Sequence, residues 1–205
     1  MKTIGFYPVV DSVDWVRKLA PLNIQTLQLR IKTKTSANVE DDVKESIALA
    51  RQYNCNLYIN DYWELAIKHG AHGIHLGQED IQTADIQAIH KAGICLGVST
   101  HNDREVDAAL ACDPHYIAYG PIYNTTTKIM KATPRGTDRL TYWVNALNLP
   151  VVAIGGINLE RVDAVVKTGV DGVAVVSAVT KAVNYKQAVS QFKHHTAKYN
   201  QTELA

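Results

Sequence analysis

Residues 57–80, LYINDYWELAIKHGAHGIHLGQED, contain the pattern that decides the fold. A short apolar run ends in Asn60 and Asp61, an amphipathic segment follows, and a second apolar run ends just before Asp80. If the two runs are neighbouring parallel strands, their carboxyl ends bring Asp61 and Asp80 to one rim. Two carboxylates there, together with substrate oxygens, suit Mg2+. The stretch therefore points to a magnesium-dependent enzyme that acts on a phosphate.

The same alternation continues along the whole chain. Apolar, β-branched runs alternate with segments in which apolar residues recur every three or four positions, as expected for strands and helices of a parallel sheet covered on both faces. The runs lie at 4–10, 26–32, 57–61, 73–77, 94–99, 116–120, 151–157 and 172–178. Eight such units in 205 residues predict an α/β fold, a single (β/α)8 TIM barrel with its site at the C-terminal ends of the strands. A doubly wound open sheet is the alternative, but no G-x-G-x-x-G turn follows the first run.

Composition and charge exclude several classes of protein. The chain is 46% hydrophobic and 20% charged with a net charge of +1, which suits one domain over residues 1–205 and gives no bias toward nucleic acid or membrane. Cys55, Cys95 and Cys112 are too widely spaced for a zinc site or a disulfide framework and are interpreted as free thiols. With no secretion signal or membrane span in the sequence, we expect a cytoplasmic protein. A homo-oligomer is compatible with a barrel exterior, but the sequence favours no stoichiometry.

Three long polar side chains lie on one face of the second run. In QLRIK, Gln28, Arg30 and Lys32 alternate, so all three point into the upper end of the barrel. An unpaired buried Arg or Lys is strongly unfavourable, so these cations need an anionic partner. That partner is either a carboxylate such as Asp61, in a structural ion pair, or the phosphate of a ligand.

The polar residues that follow the third, fourth and fifth runs have structural alternatives. Asp61 could start a turn or cap the next helix, and Asp80 could cap the helix after it. Metal binding is favoured because both acids end adjacent strands beside two cations. Ser99 could bind a ligand, with capping left to Thr100 or Asn102.

Two histidines near these strand ends are interpreted differently. His75 in the fourth run is expected to be a hydrogen-bonded core residue rather than a metal ligand. His101 has no visible triad partner and is assigned a structural or supporting role.

The segment after the sixth run has the composition of a phosphate site. Thr125, Thr126 and Thr127 place hydroxyl donors next to the cation of Lys128. A polar segment as long as 121–150 is usually functional or mobile.

Other parts of the same rim are consistent with phosphate binding. Gly155-Gly156 and Val176-Ser177 follow the last two runs, where barrels often bind phosphate on backbone N–H groups. Lys131, Arg135 and Arg139 add basic character after the sixth run. A solvated surface role is favoured for Arg139 and left open for the other two.

Taken in order and spacing, these motifs resemble those of the thiamine-phosphate synthase family over essentially the whole chain. The resemblance rests on QLRIK, INDYWELAIKHGAHGIHLGQED, LGVSTH, TTTK followed by PRG, AIGGI and AVVSA. It implies a Mg2+-dependent transferase that joins 4-amino-2-methyl-5-hydroxymethylpyrimidine diphosphate to 4-methyl-5-(2-phosphooxyethyl)thiazole, or to its carboxylated form, giving thiamine phosphate and pyrophosphate.

The resemblance also implies which residues form the site. The pyrimidine diphosphate would be held by Gln28, Leu29, Arg30, Ile31, Lys32, Asn60, Ser99 and Lys128. The thiazole phosphate would be held by Thr125, Thr126, Thr127, Gly156, Val176 and Ser177. Asp61 and Asp80 would bind Mg2+. The expected catalytic residues are Arg30, Lys32, Ser99 and Lys128.

The family is understood to lose pyrophosphate first, leaving a pyrimidine-methyl cation that the thiazole nitrogen captures. Cations and Mg2+ would stabilise the departing pyrophosphate, and closure of the 121–139 loop would exclude water. Here Asn124 stands where the family usually has proline and Tyr123 where it has Phe, which loosens the loop without removing its hydroxyls or lysine.

Two alternative functions use the same scaffold. A thiazole tautomerase needs no diphosphate site, so the intact QLRIK, Asp61, Asp80 and Lys128 count against it. A non-catalytic sensor of a phosphate ligand is the second alternative, and Mg2+-independent binding would favour it.

Overall fold

The structure, a computed structural model, describes residues 4–32, 36–125 and 133–200 and contains a closed barrel of eight parallel strands. Each strand pairs in parallel with the next, and β8 closes the barrel on β1, with Gly5 opposite Gly172. The TIM barrel expected from the sequence is confirmed. The strands are β1 (Gly5–Val10), β2 (Thr26–Leu29), β3 (Asn56–Asn60), β4 (Gly73–Leu76), β5 (Cys95–Thr100), β6 (Tyr116–Tyr119), β7 (Val151–Ile154) and β8 (Gly172–Val175).

Helices cover the outside of the barrel. They bury the apolar positions that recur every three or four residues; in α2, for example, Val43, Ile47 and Ala50 are buried. Short 3-10 helices lie at Ala20–Leu22 and Asp80–Gln82. The α-helices are α1 (Val13–Leu19), α2 (Ser36–Gln52), α3 (Trp63–His69), α4 (Ile86–Lys91), α5 (Asp103–Leu110), α6 (Gly136–Ala146), α7 (Val162–Val166), α8 (Ser177–Thr180) and α9 (Tyr185–Asn200).

The barrel interior is filled by aromatic side chains. Tyr7, Tyr58 and Tyr116 pack together there with ring centroids 5.3 to 6.0 Å apart. A Cβ atom at Gly97 would lie 2.1 Å from the Tyr116 ring, so the glycine provides the space that this ring occupies. The interior is therefore a packed core that supports the mouth of the barrel from below.

Three strands end earlier than their apolar runs indicate. β2 ends at Leu29 instead of residue 32, although the Arg30 amide still donates to the Val10 carbonyl oxygen at 2.7 Å. β7 ends at Ile154 because Gly155 and Gly156 turn the chain with φ of +100° and +67°. β8 ends at Val175, and Ser177 already begins α8. The predicted run extends past the hydrogen-bonded ladder in each case, so the length of a run does not mark the end of pairing.

Two expectations about the rest of the chain can be compared with the structure. Cys55, Cys95 and Cys112 are free thiols, as expected from their spacing. Within the described ranges, no helix is both long and apolar enough to cross a membrane.

Candidate functional site

A cavity of about 950 Å3 opens at the C-terminal ends of the strands. It brings together most of the residues that the sequence assigned to the site: Gln28, Arg30, Lys32, Asn60, Asp61, Asp80, Ser99, Thr125, Gly156, Val176 and Ser177. Leu29 and Ile31 are 1% and 4% exposed and pack in the core between barrel and helices, so their side chains do not line the cavity. Thr126, Thr127, Lys128 and Lys131 lie outside the described residues.

The segment that directly follows β2 brings two cations, Arg30 and Lys32, to the cavity. Gln28 is buried, Arg30 is half-buried and Lys32 is exposed, so the three side chains step outward from the barrel interior to its rim. Burial lowers the pKa of the Arg30 guanidinium, and the charge of Asp61 opposes this shift. Lys32 Nζ lies 3.5 Å from Asp61 Oδ2, a long ion pair in which the lysine side chain is half exposed. Lys32 and Asp61 thus form an ion pair and also line the cavity, so the two partners considered for the cations, a carboxylate and a ligand phosphate, are both possible at this place.

Asp61 and Asp80 meet at the rim of the cavity. Burial raises the pKa of the Asp61 carboxyl, the charge of Asp80 raises it further, and Lys32 lowers it. Asp61 has a left-handed backbone with φ of +67°, and Tyr62 rather than Asp61 occupies the N-cap of α3. The alternative role of Asp61 as a helix cap is therefore wrong.

Asp80 is positioned by the turn that follows β4. Its Oδ2 accepts a hydrogen bond from the Gly77 amide at 3.0 Å, and a Cβ at Gly77 would lie only 2.8 Å from the same oxygen. Asp80 begins a 3-10 helix, while Asp85 caps α4 by accepting from the Ala88 amide at 2.9 Å. The capping role proposed for Asp80 thus belongs to Asp85.

The donor set of this pair fits Mg2+. A cation between two neighbouring carboxylates relieves the repulsion of their charges, and Mg2+ is commonly held by one or two carboxylates with phosphate oxygens and waters. Among the described residues, no group of three His, Cys, Asp or Glu side chains converges as a set of metal ligands.

Asn60 faces the cavity with an unused donor. The residue is 4% exposed, and its Nδ2 has no hydrogen-bond partner among the described residues. A buried unsatisfied amide costs about 1–3 kcal/mol, so a ligand acceptor at this point would stabilise the site.

The fifth strand contributes Ser99, whose hydroxyl contacts a buried histidine. His75 Nε2 lies 2.7 Å from Ser99 Oγ, and His75 Nδ1 lies 2.7 Å from the Tyr116 hydroxyl. Burial lowers the pKa of His75 to about 3, and the nearby Arg30 charge adds to the shift. His75 is therefore a neutral, hydrogen-bonded core histidine, as the sequence indicated.

The sequence offered Thr100 or Asn102 as the N-cap of α5, and the structure has Asn102 there. Asn102 Oδ1 accepts from the Glu105 amide at 3.1 Å and caps α5, whereas Thr100 Oγ1 donates to the Ala118 carbonyl oxygen at 3.3 Å. His101 Nδ1 lies 2.6 Å from Glu105 Oε2, which agrees with a supporting role.

The opposite side of the cavity is built from backbone turns. Gly155 and Gly156 pass close to the chain after β6, because a Cβ at Gly156 would lie 2.4 Å from the Asn124 carbonyl oxygen. The Tyr123 amide donates to the Gly155 carbonyl oxygen at 3.0 Å. Arg161 donates to the Gly156 carbonyl oxygen at 2.8 Å and lies over the Tyr123 ring. These contacts fix the glycine turn where an anion can approach the backbone.

Sequence reasoning missed several residues of the cavity. Gln78 Nε2 donates to the Ser99 carbonyl oxygen at 2.7 Å, and although it lies in the HLGQED stretch that supports the resemblance, it was assigned no site role. Lys181 lines the thiazole-phosphate side predicted from the sequence. Its spacing of four from Ser177 places both on one helix face and could have revealed it.

Two basic residues at the start of α6, Arg135 and Arg139, lie beside a second cavity of about 580 Å3. Arg139 pairs with Asp103 and lies over the Tyr142 ring, in agreement with the surface role favoured from the sequence. Arg135 lines the second cavity rather than the first.

Comparison with known proteins identifies the family. A family model described as thiamine monophosphate synthase matches residues 6–179. The chain belongs to this family. The resemblance stated from the motifs is thereby confirmed, and the match runs from β1 into α8.

Individual members of the family are similar over nearly the full length. The thiamine-phosphate synthase of Citrobacter koseri is 54% identical over 189 residues, which cover 92% of this chain and 90% of that protein. The thiamine-phosphate synthase of Salmonella typhimurium is 53% identical over the same shares.

Solved structures show the same architecture. Thiamine phosphate pyrophosphorylase from Pyrococcus furiosus has a TM-score of 0.85 at 28% identity, and the match covers 96% of both chains. The 3-hexulose-6-phosphate synthase of Salmonella typhimurium has a TM-score of 0.72 at 16% identity, covering 95% of this chain and 99% of that chain, which reflects the fold alone.

Proposed function

We propose that the protein is a Mg2+-dependent transferase that forms thiamine phosphate. It condenses 4-amino-2-methyl-5-hydroxymethylpyrimidine diphosphate with 4-methyl-5-(2-phosphooxyethyl)thiazole, or its carboxylated form, and releases pyrophosphate. The observation that carries the proposal is one cavity with two chemically different ends on opposite sides of the mouth. Membership of the thiamine monophosphate synthase family supports it.

The end formed by β2, β3 and β4 suits a diphosphate. Arg30 and Lys32 supply positive charge, and Lys128, in the segment after β6, is assigned to the same group by the family's motif. These groups stabilise negative charge as it develops on the leaving pyrophosphate, and preorganised electrostatics of this kind contribute several kcal/mol. Asp61 and Asp80 would hold Mg2+, which neutralises diphosphate oxygens when it is bound.

The bottom of the same end suits the aminopyrimidine ring. Gln28 and Asn60 are both buried and both line the cavity. Their amide groups offer donors and acceptors for ring nitrogens and an exocyclic amino group. This arrangement orients the reacting methylene carbon toward the opposite end.

The end formed by β7 and β8 suits a phosphate monoester. Gly156, Val176 and Ser177 present backbone there, and Lys181 adds a cation. Glycine permits close approach of the phosphate to backbone N–H groups. Thr125 lines the cavity between the two ends, with Thr126 and Thr127 next in the chain.

The reaction needs no protein nucleophile. The C–O bond between the pyrimidine methylene and the diphosphate breaks with its electron pair on pyrophosphate, and the thiazole nitrogen lone pair forms the new C–N bond. The protein stabilises the leaving group and holds the two substrates in register, which raises the rate through orientation. We place this reaction in the cytoplasm, where the three free cysteines are compatible with reducing conditions.

The test is formation of thiamine phosphate and pyrophosphate by the purified protein, with and without Mg2+. Asp61→Asn removes one proposed ligand and keeps a residue that tolerates a left-handed backbone. Asp107→Asn, on the exposed side of α5, is the matched control. We expect Mg2+-dependent turnover that falls at least roughly 100-fold in Asp61→Asn and is unchanged in Asp107→Asn.

Other outcomes would point to the alternatives. Binding of the thiazole phosphate with no product, with or without the metal, would overturn the synthase proposal in favour of a tautomerase or a sensor. Full activity without divalent metal would overturn the role of Asp61 and Asp80.

A further inference from the structure

A continuous chain of side-chain hydrogen bonds runs through the barrel interior and reaches the cavity at both ends. Gln28 Nε2 donates to the Tyr7 hydroxyl at 3.1 Å, and the Tyr7 and Tyr116 hydroxyls lie 2.8 Å apart. The Tyr116 hydroxyl lies 2.7 Å from His75 Nδ1, and His75 Nε2 lies 2.7 Å from Ser99 Oγ. Only Gln28 and Ser99, the two ends, are also expected to contact a substrate.

Each inner member of the chain carries one hydrogen. Burial raises the pKa of the Tyr7 and Tyr116 hydroxyls far above their ordinary value, so both stay protonated. His75 is 5% exposed and is held neutral by burial, so only one of its ring nitrogens bears a hydrogen. A group with one hydrogen that accepts from one neighbour must donate to the other.

We propose that the Gln28 amide fixes the direction of the whole chain and thereby makes Ser99 a hydrogen-bond donor to the substrate. An amide nitrogen can only donate, so Tyr7 accepts from Gln28 and donates to Tyr116. Tyr116 then donates to His75 Nδ1. Tyr7, Tyr116 and His75 are positioning residues, because they act on the substrate through Gln28 and Ser99.

The last link sets the chemistry presented to the cavity. Because Nδ1 accepts, the hydrogen of His75 is on Nε2 and is donated to Ser99 Oγ. The Ser99 hydroxyl hydrogen is then directed away from His75, toward an acceptor such as a diphosphate oxygen or a ring nitrogen. At the other end, Gln28 keeps its Oε1 as an acceptor for an exocyclic amino group. The chain therefore presents an acceptor and a donor at fixed places.

Reversal of the chain would give the opposite chemistry. With the Gln28 amide turned over, Oε1 would accept from Tyr7, His75 would carry its hydrogen on Nδ1, and Ser99 would donate to Nε2. Ser99 would then offer the cavity only lone pairs. The tautomer of His75 thus reports the direction of the chain.

The decisive measurement is the tautomer of His75 in the substrate-free protein by 15N NMR of histidine-labelled enzyme. The His75→Gln variant, which lacks the signal, assigns it. We expect a single Nε2–H tautomer. A Nδ1–H tautomer, or shifts averaged between the two, would overturn the proposal. This measurement needs no substrate, so its result does not depend on whether the protein is a transferase. The effect proposed for Ser99 on substrate binding does rest on the proposed transferase function.

Kinetics test whether the direction of the chain matters to the substrate. Tyr116→Phe removes the link to His75 Nδ1 and keeps the ring. Tyr58→Phe is the matched control, since Tyr58 packs in the same aromatic cluster and is not a member of the chain. We expect the KM for the pyrimidine diphosphate to rise roughly 3- to 10-fold in Tyr116→Phe and to stay within about twofold in Tyr58→Phe.

The thiazole phosphate provides the internal control for both variants. Its KM should be unchanged in Tyr116→Phe, because neither Gln28 nor Ser99 is assigned to that substrate. Equal effects on the two substrates, or equal effects of Tyr116→Phe and Tyr58→Phe, would mean that the chain is purely structural. If Tyr116→Phe fails to fold, Tyr7→Phe breaks the chain one link earlier and carries the same expectation.

Discussion

The Arg161 guanidinium donates to the Gly156 carbonyl oxygen at 2.8 Å, and the same guanidinium lies 4.9 Å from the centre of the Tyr123 ring. One side chain therefore joins the glycine turn after β7 to the segment after β6. Both are parts of the proposed thiazole-phosphate end. Arg161 does not itself line the cavity, so it acts by holding the turn in place.

Loss of this contact should affect one substrate. In Arg161→Ala we expect the KM for the thiazole phosphate to rise roughly tenfold, while kcat and the KM for the pyrimidine diphosphate stay unchanged. Arg161→Lys should restore little of the affinity for the thiazole phosphate. An ammonium group lacks the planar guanidinium that donates to the Gly156 carbonyl oxygen and stacks on the Tyr123 ring at the same time. Tyr123→Phe keeps the ring and should behave like the parent. Steady-state kinetics with each substrate varied in turn measure this, with exposed Arg104→Ala as the control.

Removal of the Asp61 charge should stabilise the metal-free protein. Burial and the neighbouring Asp80 raise the pKa of Asp61, so the charged form is disfavoured in the folded state relative to the unfolded state. The folded state thus binds more protons just above the ordinary pKa of aspartate, and its stability falls as pH rises through that window. Asp61→Asn should therefore raise the Tm without metal at neutral pH and abolish the increase in Tm caused by Mg2+. A lower Tm in the metal-free variant would contradict this account.

Gly77→Ala should displace the Asp80 carboxylate without unfolding the barrel. The added Cβ would lie 2.8 Å from Asp80 Oδ2, the end of a flexible side chain, and no positive φ is involved. We expect the concentration of Mg2+ needed for half-maximal activity to rise, while the Tm changes little. A matched control is Gly97→Ala, where the Cβ would meet the Tyr116 ring at 2.1 Å in the packed interior and the Tm should fall. An unchanged Mg2+ requirement in Gly77→Ala would contradict the role of this glycine.

The sequence predicts the barrel and much of its mouth because strand ends are ordered by topology. Once eight parallel strands close, residues such as Asp61 and Ser99 must lie on one rim, whatever the details of packing. The glycine turn at 155–156 follows for the same reason. These predictions depend on chain order rather than on side-chain conformation.

The remaining features depend on contacts that have no local signal. Gln78 holds the Ser99 carbonyl across the gap between two strands, and Tyr7 reaches Tyr116 over 109 positions of the chain. Leu29 and Ile31 alternate with Gln28, Arg30 and Lys32 and therefore face the helices. The QLRIK motif does not show which of its five side chains face the cavity. Side-chain hydrogen bonds of this range are set by packing of the whole barrel.

Acidification should destabilise the protein through His75. Its pKa is about 3 in the folded state and about 6.5 when unfolded, so between these values the unfolded state binds one more proton. The free energy of unfolding then falls as pH is lowered, by about 1.4 kcal/mol per pH unit from this group. His75→Gln should be less stable at neutral pH, because the hydrogen bonds of the imidazole to Tyr116 and Ser99 are lost, and should lose less stability on acidification. Urea unfolding of both proteins from about pH 7 to pH 4 measures the difference. The difference in free energy of unfolding should shrink steadily as pH falls, because only the parent has to keep a histidine neutral. A constant difference would mean that the pKa of His75 is the same in the folded and unfolded states.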